Sequence, residues 1–114
     1  MPTRNIGKIS IDMIIELEGP RFEPWRLLPD CTPEILAEHA SWLVPRHYDP
    51  ETDLLVAPVQ SFLLKTPHHT ILIDGCFGNH KERPNPMANQ LNTPWLERLA
   101  AAGASPEDID IVLC

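Results

Sequence analysis

The chain of 114 residues is long enough for one compact domain or part of one, and 43% hydrophobic with 22% charged residues is the balance of a folded globular protein. Sixteen acidic residues against nine basic ones give a formal net charge of −7, which opposes binding to nucleic acid or to an anionic membrane surface. We therefore expect neither as a partner.

The first residues lack the apolar core of a secretory signal, because Lys8, Ser10 and Asp12 interrupt their hydrophobic residues. No apolar run approaches the ~20 residues that a membrane-spanning helix needs. The three cysteines are odd in number and share no CxxC spacing, which favours neither a disulfide framework nor a cysteine-type zinc site. A cytoplasmic location is the expectation.

Apolar residues occupy the odd positions from Ile9 to Leu17 and mostly polar ones the even positions, which is the period of a half-buried strand. The proline-broken stretch from residue 19 to 31 predicts an irregular loop. Within it, Phe22, Trp25 and Leu27 could form a hydrophobic wall, a dimer contact or simple packing against the first sheet. Twelve of the thirteen prolines lie at apparent element boundaries, which predicts short elements joined by rigid turns.

Thr32, Pro33 and the following acid are a helix-start signal and predict a helix from Pro33 to about Leu43. Two β-rich segments then follow, residues 54–65 and 70–74, joined by a tight connection at residues 66–69. Together they predict a β-hairpin.

Residues 75–92 are rich in Gly, Asn, Pro and charge without periodicity, and predict a long loop. Thr93 and Pro94 then predict a helix that ends at Gly103, with Trp95 and Leu99 in the core. A second capping signature at residues 105–108 precedes an apolar segment, residues 109–114, that predicts a buried strand. A chain end inside a buried strand suggests a truncated domain, since termini usually lie at the surface; the alternative is a strand that reaches the surface at its last residue.

Three ordered motifs carry a family resemblance: SFLLKT, then HHTILIDGCFGNHKERP, then TPWLERLAAAGASPEDIDIVLC. Their arrangement resembles the metallo-β-lactamase superfamily, especially its lactonase and organophosphate-hydrolase-like branch. One departure is that Asp74 is followed by Gly75 and Cys76 rather than by the common Thr-Gly. The resemblance implies a fold of the α/β (α+β) class: the N-terminal half of an αββα sandwich, with a mostly mixed or antiparallel sheet and two short helices. Residues 1–114 would be the N-terminal part of a single truncated domain.

The resemblance also implies chemistry. In the complete family domain, two metal ions, usually zinc, bind the attacking water, lower its pKa and polarise the bond that is hydrolysed. A small molecule carrying a lactone, ester, amide or phosphotriester bond would be the substrate. The family's HxHxDH metal motif would begin after Cys114, so no catalytic residue, no metal ligand and no bound zinc are expected within residues 1–114.

Inside the chain, the resemblance gives Asp74 a second-shell role, orienting the metal-binding loop. A plain turn residue before Gly75 is the alternative. The loop that follows could shape the pocket mouth through His80, Lys81 and Arg83, or could be a solvated charged loop. Cys76 is interpreted as a small buried residue rather than a nucleophile.

The five histidines have spacings that do not favour a metal site, because adjacent His68 and His69 on a strand would point to opposite faces. His80 lies closest to the expected metal edge. The sequence thus leaves three hypotheses. The first is part of a di-zinc hydrolase that is inactive in this portion alone. The second is a non-catalytic half-domain that self-associates as a homodimer and acts as a binding module, and the third is a histidine-based zinc module.

Overall fold

The computed structural model describes residues 2–114, which form two compact units. We call residues 2–17 with 59–114 the sheet unit, and residues 18–58 the inserted unit. The strands are β1 (Arg4–Ile6), β2 (Ile9–Leu17), β3 (Pro20–Phe22), β4 (Tyr48–Asp49), β5 (Leu54–Val56), β6 (Val59–Lys65), β7 (Thr70–Ile73) and β8 (Ile111–Leu113). The α-helices are α1 (Pro24–Leu27), α2 (Pro33–Glu38), α3 (Ala40–Leu43) and α4 (Trp95–Ala101), and two 3-10 turns are Pro86–Ala88 and Pro106–Asp108.

The sheet unit is built on a five-stranded mixed sheet of order β1-β2-β6-β7-β8. Its strands pair antiparallel except for β7 and β8, which are parallel. A parallel pair needs a crossover connection, and the segment containing α4 provides it. The mixed α+β class predicted from the sequence is confirmed, although the described residues contain four short α-helices rather than two.

One face of this sheet is packed against α4. The register places Ile14 opposite Ser61 and Leu63 opposite Leu72, so these side chains share a face. Leu99 of α4 packs there with Ile14, Leu63 and Ala104, and Trp95 packs against this cluster. The core roles predicted for Trp95 and Leu99 are therefore confirmed. The fully buried strand residues all lie on this helix-covered face: Ile14, Glu16, Ser61, Leu63 and Leu72.

The other face of the sheet is almost entirely apolar, and we call it the apolar face. Cross-strand pairs place on it the residues Ile11, Met13, Ile15, Phe62, Leu64, Ile71, Ile73, Ile111 and Leu113. None of them is fully buried. The alternation predicted for β2 is confirmed with the same bounds, but its fully buried residues are at even positions. The reason is that α4 covers the even side of the strand.

The end of the chain differs from the prediction of a buried strand. β8 pairs with β7, but Val112 and Leu113 are 57% and 49% exposed. The prediction of burial is wrong because β8 is the last strand in the sheet order, and no strand within residues 2–114 pairs with its outer side. A strand at a sheet edge keeps one flank open.

Helix α4 begins at Trp95, after Pro94, and Thr93 does not cap it. The amide and the hydroxyl of Thr93 donate instead to Asn79 Oδ1, at 2.8 and 3.2 Å. The predicted stop at Gly103 agrees with its φ of +91°, which glycine adopts without strain. Lys65 Nζ donates to the carbonyls of Ala102 and Gly103, at 3.1 and 3.0 Å, and satisfies the end of the helix.

The predicted hairpin is confirmed for β6 and β7 and wrong for residues 54–56. β5 pairs instead with β3 and β4 in the three-stranded sheet of the inserted unit. Pro58, which cannot donate to a ladder, separates β5 from β6. At the tip of the hairpin, Thr66 Oγ1 accepts the amides of His68 and His69, at 3.1 and 2.9 Å.

The inserted unit is more regular than the sequence predicts. The expected loop contains β3 and α1, and Pro24 occupies the first turn of α1, where a missing donor is tolerated. The predicted helix from Pro33 to Leu43 is divided into α2 and α3, because His39 has φ −101° and ψ 10°. Thr32 caps α2 as predicted, its hydroxyl accepting the amide of Ile35 at 3.3 Å.

Candidate functional site

The segment that follows β7 carries the residues singled out from the sequence. Asp74 has φ +68° and Cys76 has φ +59°, so Gly75 lies between two residues in the left-handed region. The amide of Asp74 donates to Leu113 O at 2.7 Å, and Asp74 Oδ1 accepts the amide of Cys76 at 2.7 Å. Asp74 is exposed, and its carboxylate stabilises the turn that begins at this residue. Asp74 therefore makes the turn contact of the alternative interpretation, and its role beside a metal stays a prediction.

Glu16 is the residue that the sequence reasoning missed. It lies on β2, is 3% exposed, and accepts the amides of Phe77 and Gly78 at 2.7 and 3.0 Å. A buried carboxylate needs such donors, because burying its charge without them is costly. Glu16 fixes the start of the loop to the sheet. No spacing in the sequence signals this contact, because its partners lie 61 and 62 residues away.

Cys76 contacts the second buried polar residue of the sheet, Ser61 of β6. Its Sγ lies 3.1 Å from Oγ of Ser61, which is fully buried. Burial raises the pKa of the Cys76 thiol to about 11, and the hydrogen bond with Ser61 opposes part of that rise. A thiol in this state is a poor nucleophile at neutral pH, as the sequence interpretation expects.

The loop beyond Gly78 is held by backbone and side-chain hydrogen bonds within the loop. The amide of His80 donates to Leu91 O, and the amide of Gln90 donates to Lys81 O, both at 2.8 Å. Arg83 Nη2 donates to Phe77 O at 2.7 Å, so this guanidinium ties the middle of the loop to its start. Asn79 Nδ2 donates to Thr93 O at 2.8 Å at the far end. Hydrogen bonds thus fix the conformation of the loop at its start and at its far end.

Two concave regions border this loop. A cavity of about 290 Å³ is lined by Glu16, Gly75, Gly78, Asn79, Trp95 and Leu96. A more open cleft of about 440 Å³ is lined by Glu82, Arg83, Pro84, Asn89 and Gln90. The side chains of His80, Lys81 and Arg83 are all exposed, and of these three only Arg83 lines the cleft. Their role at a pocket mouth stays a prediction.

The residues present do not fit a metal centre. In the described range, 2–114, no three His, Cys, Asp or Glu side chains are grouped so that they could hold an ion. His69 lies 3.9 Å from the Asp110 carboxylate, and His39 accepts a hydrogen bond from Trp42 Nε1 at 3.3 Å.

No helix within residues 2–114 is long and apolar enough to cross a membrane.

Two solved structures resemble the chain in fold. One is a probable metal-dependent hydrolase from Staphylococcus aureus, which matches 96% of this chain with 19% identity and a TM-score of 0.71. Another is AbOPH, a hydrolase in the beta-lactamase superfamily, which matches 96% of this chain with 20% identity and a TM-score of 0.59. The chain has part of the metallo-β-lactamase fold.

The likeness extends over only part of those two proteins, since this chain spans 38% and 33% of their lengths. No family model matches the sequence, and no curated protein is similar to it at a significant level. At about one identical residue in five, the likeness concerns the fold and not the chemistry of individual side chains.

Proposed function

We propose that this chain is the part of a metal-dependent hydrolase domain that supplies one sheet and its covering helix, with metal ligands from outside residues 2–114. The observation that carries the proposal is the match of nearly the whole chain to a probable metal-dependent hydrolase, at a TM-score of 0.71. The apolar face supports it, because a sheet with nine large apolar residues on one side is suited to packing against a second layer.

The chemistry proposed for the complete domain follows the superfamily resemblance. Two zinc ions would activate water, and a small molecule with a lactone, ester, amide or phosphotriester bond would be hydrolysed in the cytoplasm. No step of that reaction is assigned to residues 2–114, since they contain no group of ligands. The contribution of the chain is structural: the turn at Asp74 and the contacts of Glu16 hold the loop that follows β7.

The test uses the complete product of the reading frame that contains these residues. Metal analysis after purification is expected to give about two zinc ions per chain, and a chelator is expected to abolish hydrolysis of a panel containing a lactone, an aryl ester, a β-lactam and an aryl phosphotriester. Residues 1–114 alone are expected to bind no zinc. Metal-free hydrolysis, or a complete product that binds no metal, would contradict the proposal.

Asp74→Asn tests the second-shell prediction within the same experiment. Asparagine tolerates positive φ and can keep the turn contact, so the change removes mainly the charge. If Asp74 orients the metal-binding loop, zinc affinity of the complete product is expected to fall about 10- to 100-fold. The matched control is Asp30→Asn, an exposed carboxylate of the inserted unit, which is expected to leave zinc affinity unchanged. Equal zinc affinities of the two variants would mean that Asp74 only stabilises its turn and does not orient the metal-binding loop.

The second candidate function is a self-associating binding module. The same apolar face favours it, since two copies could cover each other's sheets. Sedimentation of residues 1–114 separates the two candidates: a stable, folded dimer without metal favours the module, and an aggregating or molten chain favours a part of a larger domain.

A further inference from the structure

The inserted unit contains a groove that the proposed hydrolase does not use. It has a volume of about 400 Å³, within the range of small-molecule sites. Helices α2 and α3, Trp25 of α1 and the turn at residues 49–53 form its walls. The lining side chains that bear on the argument are Trp25, Leu36, Val44, Tyr48, Pro50 and Asp53.

The walls of the groove are apolar and partly open. Trp25 lines it and is 44% exposed, although a tryptophan of a folded unit usually buries most of its ring. A lining with this exposed aromatic ring can bury the apolar body of a ligand.

Asp53 is the one charged residue among those that line the groove. The Tyr48 hydroxyl donates to Asp53 Oδ1 at 2.7 Å, and this hydrogen bond is the main reason that the pKa of Tyr48 is raised. In the described part of the chain, the second oxygen of Asp53 has no hydrogen-bond partner. The carboxylate is therefore held in position with one oxygen still able to accept.

The inserted unit as a whole carries a net charge of the same sign as Asp53. The inserted unit contains eight acidic residues and three basic ones, so it carries most of the net negative charge of the chain. An anionic ligand would be repelled and a cationic one attracted.

We propose that this groove binds a small molecule with an apolar body and one amino cation, which pairs with Asp53 while the body packs along Trp25 and Leu36. The proposal goes beyond the hydrolase function, because the residues involved all lie in the inserted unit. It names a binding site and a ligand class, an aralkyl or alkyl amine.

Three probes of the same shape and different charge test the proposal: 4-phenylbutylamine, 4-phenylbutanol and 4-phenylbutyrate. Calorimetric titration of the complete gene product is expected to give the amine a Kd of about 0.1 to 1 mM, the range for a ligand of this size. We expect the alcohol to bind about fivefold more weakly and the anion at least tenfold more weakly, as estimates from the worth of one exposed ion pair. No binding of the amine, or equal binding of all three, would overturn the proposal.

Matched variants locate the site. Asp53→Asn keeps an acceptor for Tyr48 and a residue that tolerates its φ of +57°, and is expected to weaken amine binding about fivefold while leaving the alcohol unchanged. Glu51→Gln removes a charge from the same turn outside the groove lining and is expected to change amine binding less than twofold. Equal losses in the two variants would indicate a general field effect and would refute pairing with Asp53.

Ala37→Phe tests the groove itself. Ala37 lies on α2 and lines the groove, so a phenyl ring there is expected to fill it and abolish binding of both the amine and the alcohol. Ala101→Phe adds the same ring to an exposed position of α4 and is the control for solubility and folding. Circular dichroism confirms that each variant is folded before titration. A folded Ala37→Phe variant that still binds the amine would contradict the proposed location.

Discussion

The two faces of the five-stranded sheet are opposite in composition and in burial. The helix-covered face holds two buried polar groups, Glu16 and Ser61, beside the buried apolar residues Ile14 and Leu63. The apolar face is a nearly continuous hydrophobic surface, and no residue of it is fully buried. The more hydrophobic face is thus the less buried one within this chain. Burial requires a layer to pack against, and only the helix-covered face has one in the sheet unit.

The polar groups on the helix-covered face are tolerated because their partners are built in. Glu16 accepts two backbone amides, and Ser61 contacts the Cys76 sulfur. Buried polar atoms with partners cost little, whereas those without partners destabilise a fold. This face is therefore both a core and the anchor of the loop that follows β7. Substitutions on the two faces are therefore expected to differ in their effects.

The largest effect is expected from Leu63→Ala, compared with Leu64→Ala on the neighbouring position of β6. Leu63 is completely buried, and its truncation leaves a cavity that is expected to lower the free energy of unfolding by about 2–5 kcal/mol. Leu64 is only partly buried, so its contacts within residues 2–114 predict a cost of about 1 kcal/mol for its truncation. Urea unfolding of the complete gene product measures both changes.

The same pair of variants tests whether a second layer of the domain covers the apolar face. In the complete gene product, a layer that covers the apolar face is expected to raise the cost of Leu64→Ala towards that of Leu63→Ala. If Leu64→Ala still lowers the free energy of unfolding by only about 1 kcal/mol there, the apolar face is not covered by further polypeptide.

An intermediate effect is expected from Glu16→Gln. Glutamine has one carbonyl oxygen and an amide that cannot accept, so one of the two backbone amides loses its acceptor and the other loses a charged one. We expect a loss of about 1.5–3 kcal/mol in urea unfolding. Glu97→Gln, at an exposed position of α4, is expected to stay within about 0.5 kcal/mol. Similar values for the two variants would mean that Glu16 does not anchor the loop.

The smallest effect concerns the Cys76 thiol and is read from its reactivity. With a pKa of about 11, only about one Cys76 thiol in a thousand is ionised at pH 8. A variant keeping only Cys76 is expected to react with iodoacetamide more slowly than one keeping only the exposed Cys114. Its rate is expected to rise about tenfold per pH unit up to pH 11.

The raised pKa of the Cys76 thiol also predicts how the stability of the fold depends on pH. Because the pKa of the Cys76 thiol in the folded state is raised above its ordinary value, the folded state favours the protonated thiol. This contribution to stability is complete below pH 9 and is lost as the pH rises through about 11. Ser61→Ala removes a hydrogen bond that lowers the pKa, so slower alkylation is expected. A reactivity plateau near pH 9 would contradict the burial of this thiol.

Local signals predicted several elements well. The alternation of β2 gave its two ends, and the helical spacing of Trp95 and Leu99 placed both on the core side of α4. The Ser105 capping signature is present, with Asp108 Oδ2 accepting the amide and the hydroxyl of Ser105, at 2.8 and 3.0 Å. Each of these features depends on residues within a few positions of one another.

Contacts between distant segments could not be predicted in the same way. Thr93 has the chemistry of a helix cap, but it bonds to Asn79 instead. Residues 54–56 have the composition of a hairpin strand, but they pair with β3 and β4 in the inserted unit. In both cases a partner outside the local window offers a competing hydrogen bond, and propensity alone does not decide between the two.

The residues that can form strands and helices follow from local features of the sequence, namely alternation, helical spacing and proline placement. The sequence also carried the resemblance to the metallo-β-lactamase superfamily. The buried side of the sheet, and the core position of the acidic residue Glu16, depend instead on how the segments pack. The physical reason is that burial and hydrogen-bond partnership depend on packing between segments far apart in sequence, here β2, α4 and the loop after β7.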